Sequence, residues 1–463
     1  MLPNRETGDL ENLDEPVGLR STQGLIQRLT GASGTNSTVP GRAENTRSWA
    51  DRCGFLLSAS LRRLIKDGEF VLVDGSGTER RFGRPGAHPF VRLKLHEPAL
   101  NWRLLINSEL HFGEAYMSGA ITLEDGSIRD LMELGTRNIA SGTLLPVSIP
   151  AWLRAPLRFL QQRNGVRRAR ANASHHYDRP DRLYELFLDS DRQYSCAYFT
   201  APDQTLEAAQ ENKKRHLAAK LLLEPQMRVL DIGSGWGGLA LHLAGTAGVD
   251  VTGLTLSREQ HRVAQKRAQA AGLSEQVRFH LRDYREEAGT YDRIISVGMF
   301  EHVGVRYYKA FFDKLKSLLR PDGIALIHSI GRMDGPGLTS PWLRKYIFPG
   351  GYVPALSEVL RVVEQSGLWV TDIEVLRLHY AETLKEWSAR FEEHRPEIAD
   401  LYGAPFCRMW ELYLASAEMQ FRHGKMMVFQ IQLAKTVDAV PITRDYMFAG
   451  EAAAAQGSAN DGA

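Results

Sequence analysis

The stretch Asp231-Ile232-Gly233-Ser234-Gly235-Trp236-Gly237-Gly238 groups residue types that can do chemistry together. It follows an apolar strand-like run and opens a helical one, so it reads as the first loop of an α/β sheet, where a nucleotide meets the backbone. Glycines there let the main chain approach a ligand. Two spacings are satisfied at once. Gly233, Gly235 and Gly238 fit Gly-x-Gly-x-x-Gly, which suggests a dinucleotide, whereas Asp231, Gly233, Gly235 and Gly237 fit Asp-x-Gly-x-Gly-x-Gly, which suggests S-adenosylmethionine. A dinucleotide site also needs an acid at the end of the second strand, about 20 residues on. Asp250 has the separation but opens its strand, and the strand ends on Thr255-Leu256-Ser257 without an acid, so the dinucleotide reading loses support. Gln260 is within reach of a ribose, although Ser257-x-x-Gln260 is also a capping box. Asp283-Tyr284, after the third strand, is placed for an adenine edge and face, or for a plain surface turn. Glu301-His302, beyond the fourth strand, is suggestive of function by itself.

These residues need a scaffold. After Pro225 apolar strands alternate with helices, the pattern of a Rossmann-like α/β fold with a doubly wound parallel sheet. Strands are predicted at 228–231, 249–254, 277–281, 293–297, 324–330, 369–376 and 426–433. The insertion between Gly331 and Gly367 is too long for a simple crossover and reads as a lid or substrate-binding element. Upstream, Phe70-Val71-Leu72-Val73, Asp74-Gly75-Ser76-Gly77 and the run from Thr78 to Phe82 predict a hairpin, and the alternation of Val91, Leu93 and Leu95 a third strand. Helices are expected from there to Asn138. The layout is therefore a flexible tail over 1–47, a small α/β domain over 48–140, a basic linker over 141–174, a catalytic domain over 175–440 and a second tail over 441–463.

Composition sets outer bounds. The 463 residues are 43% hydrophobic and 24% charged, which excludes a disordered chain and a membrane bundle. Fifty-seven Lys plus Arg against 55 Asp plus Glu leave a net charge of +2, which argues against a dedicated nucleic-acid binder. Cys53, Cys196 and Cys407 are too scattered for disulfides or a thiolate zinc site. Glu6, Asp9, Glu11, Asp14 and Glu15 oppose a signal-peptide reading, so a cytoplasmic protein is expected. One stretch is strongly cationic: between Pro146 and Ala171 lie six arginines and no acid, among Trp152, Leu153, Leu157, Phe159 and Leu160. It reads as a solvated linker or as an amphipathic segment on anionic lipid headgroups, where each basic residue contributes about 1 kcal/mol.

Five motifs taken together carry a resemblance. His176-Tyr177-Asp178, Tyr194-Ser195-Cys196-Ala197-Tyr198-Phe199, the glycine loop, Ser296 to Gly304 with Glu301-His302, and Ile347-Phe348-Pro349-Gly350-Gly351 occur in the order found in the cyclopropane-fatty-acid synthases, and the chain from 175 to 435 resembles that family. Leu95 to Leu134, with Phe112-Gly113-Glu114-Ala115-Tyr116, looks like the N-terminal domain of its full-length bacterial members. The resemblance implies a class I S-adenosylmethionine-dependent methyltransferase that delivers a methylene to the cis double bond of a phospholipid acyl chain. Cofactor contacts are implied at Tyr194, Ser195, Gly233, Gly235, Thr255, Gln260, Asp283 and Tyr284. A bicarbonate ion serving as base is implied on Cys196, Glu301, His328, the backbone of Ile330, and Tyr380, with no metal.

A carbocation intermediate favours aromatic faces, for which Tyr177, Tyr194, Tyr198, Phe199, Phe300 and Tyr346 are candidates. Alternatives are a methyl-branched or methylene product, or a non-catalytic lipid-binding relative. Transient association with the inner face of a membrane is expected, and a homodimer is compatible with the reading. The sequence departs from the family at Arg179-Pro180-Asp181, at Ser234 in place of a common Cys, and at Ala417, where a late Cys is usual.

Overall fold

The computed structural model describes residues 43–140 and 181–460, and its larger compact unit spans Ala50–Ala463. His176, Tyr177, Asp178 and the basic stretch 146–171 lie outside the described residues. Among the described residues no helix is long and apolar enough to cross a membrane.

The smaller sheet holds β1 (Glu69–Val73), β2 (Glu79–Gly83), β3 (Phe90–Leu95) and β4 (Ile121–Asp125) in the order β2-β1-β3-β4. Its hairpin turns on Asp74, whose Oδ1 accepts from the Ser76 and Thr78 amides at 3.0 Å, with Gly77 left-handed at φ 84°. Val91, Leu93 and Leu95 of β3 are buried, as their alternation predicts. β4 departs from the expectation of helices alone. It supplies only Ile121 and Leu123 as apolar residues in five, too weak a period to stand out beside the helices α1 (Ser108–Ser118) and α2 (Ile128–Ala140).

The larger sheet holds seven strands: β5 (Arg228–Ile232), β6 (Asp250–Thr255), β7 (Val277–Leu281), β8 (Tyr291–Val297), β9 (Leu319–Arg332), β10 (Trp369–Leu376) and β11 (Met426–Ala434). Their order is β10-β11-β9-β8-β5-β6-β7. β5 to β9 are parallel, and β11 is antiparallel to both of its neighbours. Leu230, Ile294, Ile295, Leu326 and Ile327 are fully buried, because helices cover both faces of a parallel sheet and its strands become continuous apolar runs. The chain leaves β5 toward β6 and β7, then returns to its other side for β8 and β9. This reversal opens a crevice at the carboxyl ends of β5 and β8, the usual ligand position in such sheets.

Five further helices bear on the site and its surroundings: α3 (Leu206–Leu221), α4 (Pro341–Tyr346), α5 (His379–Glu393), α6 (Ala404–Arg422) and α7 (Asp445–Asn460). The last corrects the expected tail over 441–463. Its alanine run carries no apolar period yet has high intrinsic helix propensity, and Met447 is buried. Gly450 allows close approach to α3, since a Cβ there would lie 3.0 Å from that of Ala219.

The small domain is stitched to the rest by its own helices. Arg129 of α2 donates to both carboxylate oxygens of buried Glu418 in α6, at 3.0 and 2.8 Å. In α1, Glu114 accepts from Lys345 at 2.6 Å and from Tyr346 at 3.0 Å, while Gly113 lies so close to Trp342 that a Cβ would fall 2.3 Å from the indole.

Candidate active site

The loops after β5, β6, β7 and β8 line one cavity, and all eight residues expected to contact a cofactor are on its wall: Tyr194, Ser195, Gly233, Gly235, Thr255, Gln260, Asp283 and Tyr284. Local sequence explains the shape. Gly233 sits at φ 90°, where a Cβ would come within 2.8 Å of the Met299 Cβ, and Gly235 at φ 54° has open space where its Cβ would point. The Ser257 hydroxyl caps its helix by accepting from the Gln260 amide at 3.2 Å. The Gln260 Oε1 also accepts from the Thr255 hydroxyl at 3.0 Å, and the Gln260 side chain stays on the cavity wall. Asp283 is 1% exposed, so the surface-turn alternative fails. Its carboxylate accepts from the Arg285 amide, Nε and guanidinium at 3.0, 2.8 and 2.7 Å.

Two buried polar atoms on this wall, Asp231 Oδ2 and Ser234 Oγ, have no partner among the described residues. Burial pushes the Asp231 carboxyl up to about 7. Buried polar atoms are rarely left unpaired, so a wall carrying two of them together with bare glycine backbone fits a polar ligand. Behind it lies Lys213, which the sequence reading missed. Fully buried on α3, its ammonium donates to Gln193 Oε1 at 2.6 Å and to the Ser195 hydroxyl at 2.9 Å, and burial lowers its pKa to about 8. A signal existed: Leu206, Ala209, Lys213, Leu217, Lys220 and Leu221 share one helical stripe, and all are buried.

The five residues expected at the anion site do not line this cavity. Glu301 stands in the short turn Phe300–His302 after β8, and its Oε1 accepts the Ile330 amide at 2.6 Å. That amide is therefore committed to Glu301. Glu301 Oε2 is buried without a partner among the described residues, and burial raises the carboxyl to about 7. From the insertion, the Tyr352 amide donates to the Glu301 carbonyl at 3.0 Å. His328, in the interior of β9, has Nδ1 3.2 Å from Gln430 Nε2, and burial draws its imidazole down to about 3.

Cys196 is 1% exposed, directs its thiol to the Ala197 carbonyl at 3.3 Å, and is held strongly protonated by burial. The Ala197 amide donates to the Thr383 hydroxyl at 3.0 Å, which ties this segment to α5 one turn from Tyr380. Cys196 and Tyr380 belong to one apolar core, with Ile330 packed against it.

Tyr194-Ser195-Cys196 links cavity to core. The Tyr194 hydroxyl lies 3.2 Å from that of Tyr413, and its ring centroid 5.1 Å from Trp387. Of the aromatic candidates that are described, only Tyr194 lines the cavity. Phe300 packs instead with Tyr308, Phe311 and Phe312 in a separate core, and Tyr198 stacks on His216 and His379.

Comparison with known proteins places this geometry. The mycolic acid cyclopropane synthetase family matches residues 164–431, and a domain of unknown function matches 70–143. The chain belongs to the mycolic acid cyclopropane synthetase family. It is an S-adenosylmethionine-dependent methyltransferase of the cyclopropane-fatty-acyl-phospholipid synthase type. It is 36% identical to the cyclopropane-fatty-acyl-phospholipid synthase of Escherichia coli, over 75% of this chain and 88% of the relative. It is equally 36% identical to the tuberculostearic acid methyltransferase of Mycobacterium tuberculosis, over 81% of this chain and 90% of the relative. Among solved structures, a mycolic acid cyclopropane synthase complexed with SAH and CTAB superimposes with a TM-score of 0.54 at 34% identity, covering 57% of this chain and 97% of that one. The class I methyltransferase fold expected from the sequence is thus the fold of this family member.

Proposed function

We propose that this chain transfers a methylene from S-adenosylmethionine to the cis double bond of an unsaturated phospholipid acyl chain and forms a cyclopropane ring. The observation that carries the proposal is the single cavity on whose wall all eight expected cofactor residues stand, joined by Tyr194-Ser195-Cys196 to an aromatic core. The name of the Escherichia coli relative supports the substrate class. S-adenosylmethionine, when bound, supplies an electrophilic methyl group. The chain's own residues do the holding: Gly233 and Gly235 admit the ligand to the backbone, Thr255 and Gln260 meet the ribose, and Asp283 and Tyr284 meet the adenine. An alkene is a weak nucleophile, so the rate rests on alignment and on excluding water.

Closing a ring also requires loss of a proton. Glu301 presents a buried, unpaired oxygen, and that acceptor fits the O–H of a bicarbonate ion, with Cys196, His328 and Tyr380 as further contacts and Ile330 acting through Glu301. Aromatic rings around Tyr194 stabilise positive charge developing on the acyl chain by about 0.5 to 2 kcal/mol each. The test is expression in a host without cyclopropane lipids, followed by mass spectrometry of its fatty acids. Unsaturated chains should gain the mass of one CH2; absence of that gain overturns the proposal.

The tuberculostearic acid relative at the same identity favours a second reading, in which the product is methyl-branched or carries a methylene group. Positional analysis of the product separates the two. The layout of small domain, basic linker and catalytic domain suits an enzyme of the cytoplasm that visits a lipid surface through the stretch 146–171. Replacing its arginines should abolish co-sedimentation with anionic vesicles.

A further inference from the structure

β11 lies against β9 with Gln430 directly opposite His328. The Gln430 side chain has two partners: its Nε2 is 3.2 Å from His328 Nδ1, and its Oε1 accepts from Lys220 Nζ at 2.7 Å. All three residues are buried to within 2% exposure. An ammonium group only donates, so the oxygen of the Gln430 amide must face Lys220 and the NH2 must face the imidazole. Nδ1 then accepts, and a neutral ring carries its proton on Nε2.

Lys220 is itself fixed. Glu374 of β10 takes hydrogen bonds from Lys220 and from His216 Nε2, the latter at 2.6 Å, and Glu451 of α7 takes the other ring nitrogen of His216. The orientation of one amide is thus set by a donor-only group anchored to a carboxylate.

We propose that Lys220, acting through Gln430, is a positioning residue that holds His328 in the Nε2–H form and so makes it a hydrogen-bond donor to a small oxyanion. The role in anion recognition rests on the bicarbonate reading; the tautomer does not. A ring with its proton on Nδ1 would present a lone pair to the anion instead of a donor. Gln430→Glu reverses the lock, because a carboxylate still accepts from Lys220 but can only accept from His328, pulling the proton onto Nδ1.

The test uses the full-length protein labelled with 15N-histidine, its His328 signals assigned with a His328→Gln variant. Two-bond proton–nitrogen correlation spectra should show the Nε2–H form in the wild type and the Nδ1–H form in Gln430→Glu. A wild type in the Nδ1–H form, or a variant that keeps the wild-type pattern, overturns the lock. Turnover is then measured against added bicarbonate in CO2-depleted buffer. Gln430→Glu and Lys220→Met should raise the KM for bicarbonate about tenfold or more, the size of one hydrogen bond to a charged group. Lys220→Arg, which keeps a donor-only cation, should restore it. A wild type indifferent to bicarbonate would overturn the anion reading while leaving the measured tautomer standing; a changed tautomer with unchanged KM would overturn the role given to Lys220.

Discussion

The cavity at the strand ends and the core around Glu301 are neighbours built by different means. The cavity is made of short loops taken in chain order, after β5, β6, β7 and β8, and much of its wall is backbone or small residues. The core draws buried side chains from distant parts of the chain: Cys196 and Tyr380 share one apolar core with Ile330 packed against it, Glu301 takes the Ile330 amide, and His328 stands opposite Gln430 across β9 and β11. A loop that must admit a nucleotide is specified by its own few residues. A buried polar cluster is specified by the whole topology, and each member looks like ordinary packing when read alone.

Variants in each region should separate these roles. Glu301→Gln should reduce turnover by about a hundredfold or more, the scale of a lost acid–base group, while the Kd for S-adenosylmethionine measured by calorimetry stays within error. A weakened Kd would mean that the two regions are one. Next in size is the pH response. Burial raises both Glu301 and Asp231 to about 7, so their carboxylates form only as pH rises through that value. Turnover at saturating cofactor should rise about tenfold from pH 6 to 8 and level off above that, and Asp231→Asn should leave this limb in place. A flat profile would remove the ionised Glu301 from the chemistry.

Gly233→Val places a Cβ against Met299 at a left-handed φ, which costs about 1 to 3 kcal/mol. The expected result is about a tenfold weaker Kd for S-adenosylmethionine, with turnover at saturation reduced far less. Smallest is Tyr194→Phe. It removes the contact with the Tyr413 hydroxyl, worth about 1 kcal/mol, and should lower thermal stability without moving the pH limb.

Legibility in the sequence follows the same division. The seven strands of the large sheet were readable because each is an apolar run or an apolar–polar alternation, as in β7 and β10, and the glycine loop because its spacing is local. β4 was not, since Ile121 and Leu123 are too few to show a period, and α7 was not, since alanines in series carry no face. Lys213 and Lys220 were missed for a sharper reason. Lysine is the residue least expected inside, and only its position on the buried stripe of α3 betrays it. Cys196, His328 and Tyr380 became candidates through family resemblance, because hydrogen bonds such as Gln430 to His328 span a separation of 102 residues and leave no local trace.

The placement of β11 also bears on how the chain is made. The last strand of the sheet in chain order is not added at an edge; it is inserted between β9 and β10, pairing from Met426 to Ala434 with the former. While the ribosome is still short of residue 434, β9 presents a bare strand edge, β10 has no strand to join, and the surfaces that will receive Val428, Phe429, Ile431 and Leu433 stay open. Unpaired edges of this kind are templates for wrong association. A stop codon before Met426 would therefore yield an aggregating chain instead of a shortened enzyme, and the nascent protein has reason to depend on chaperones until its final strand arrives.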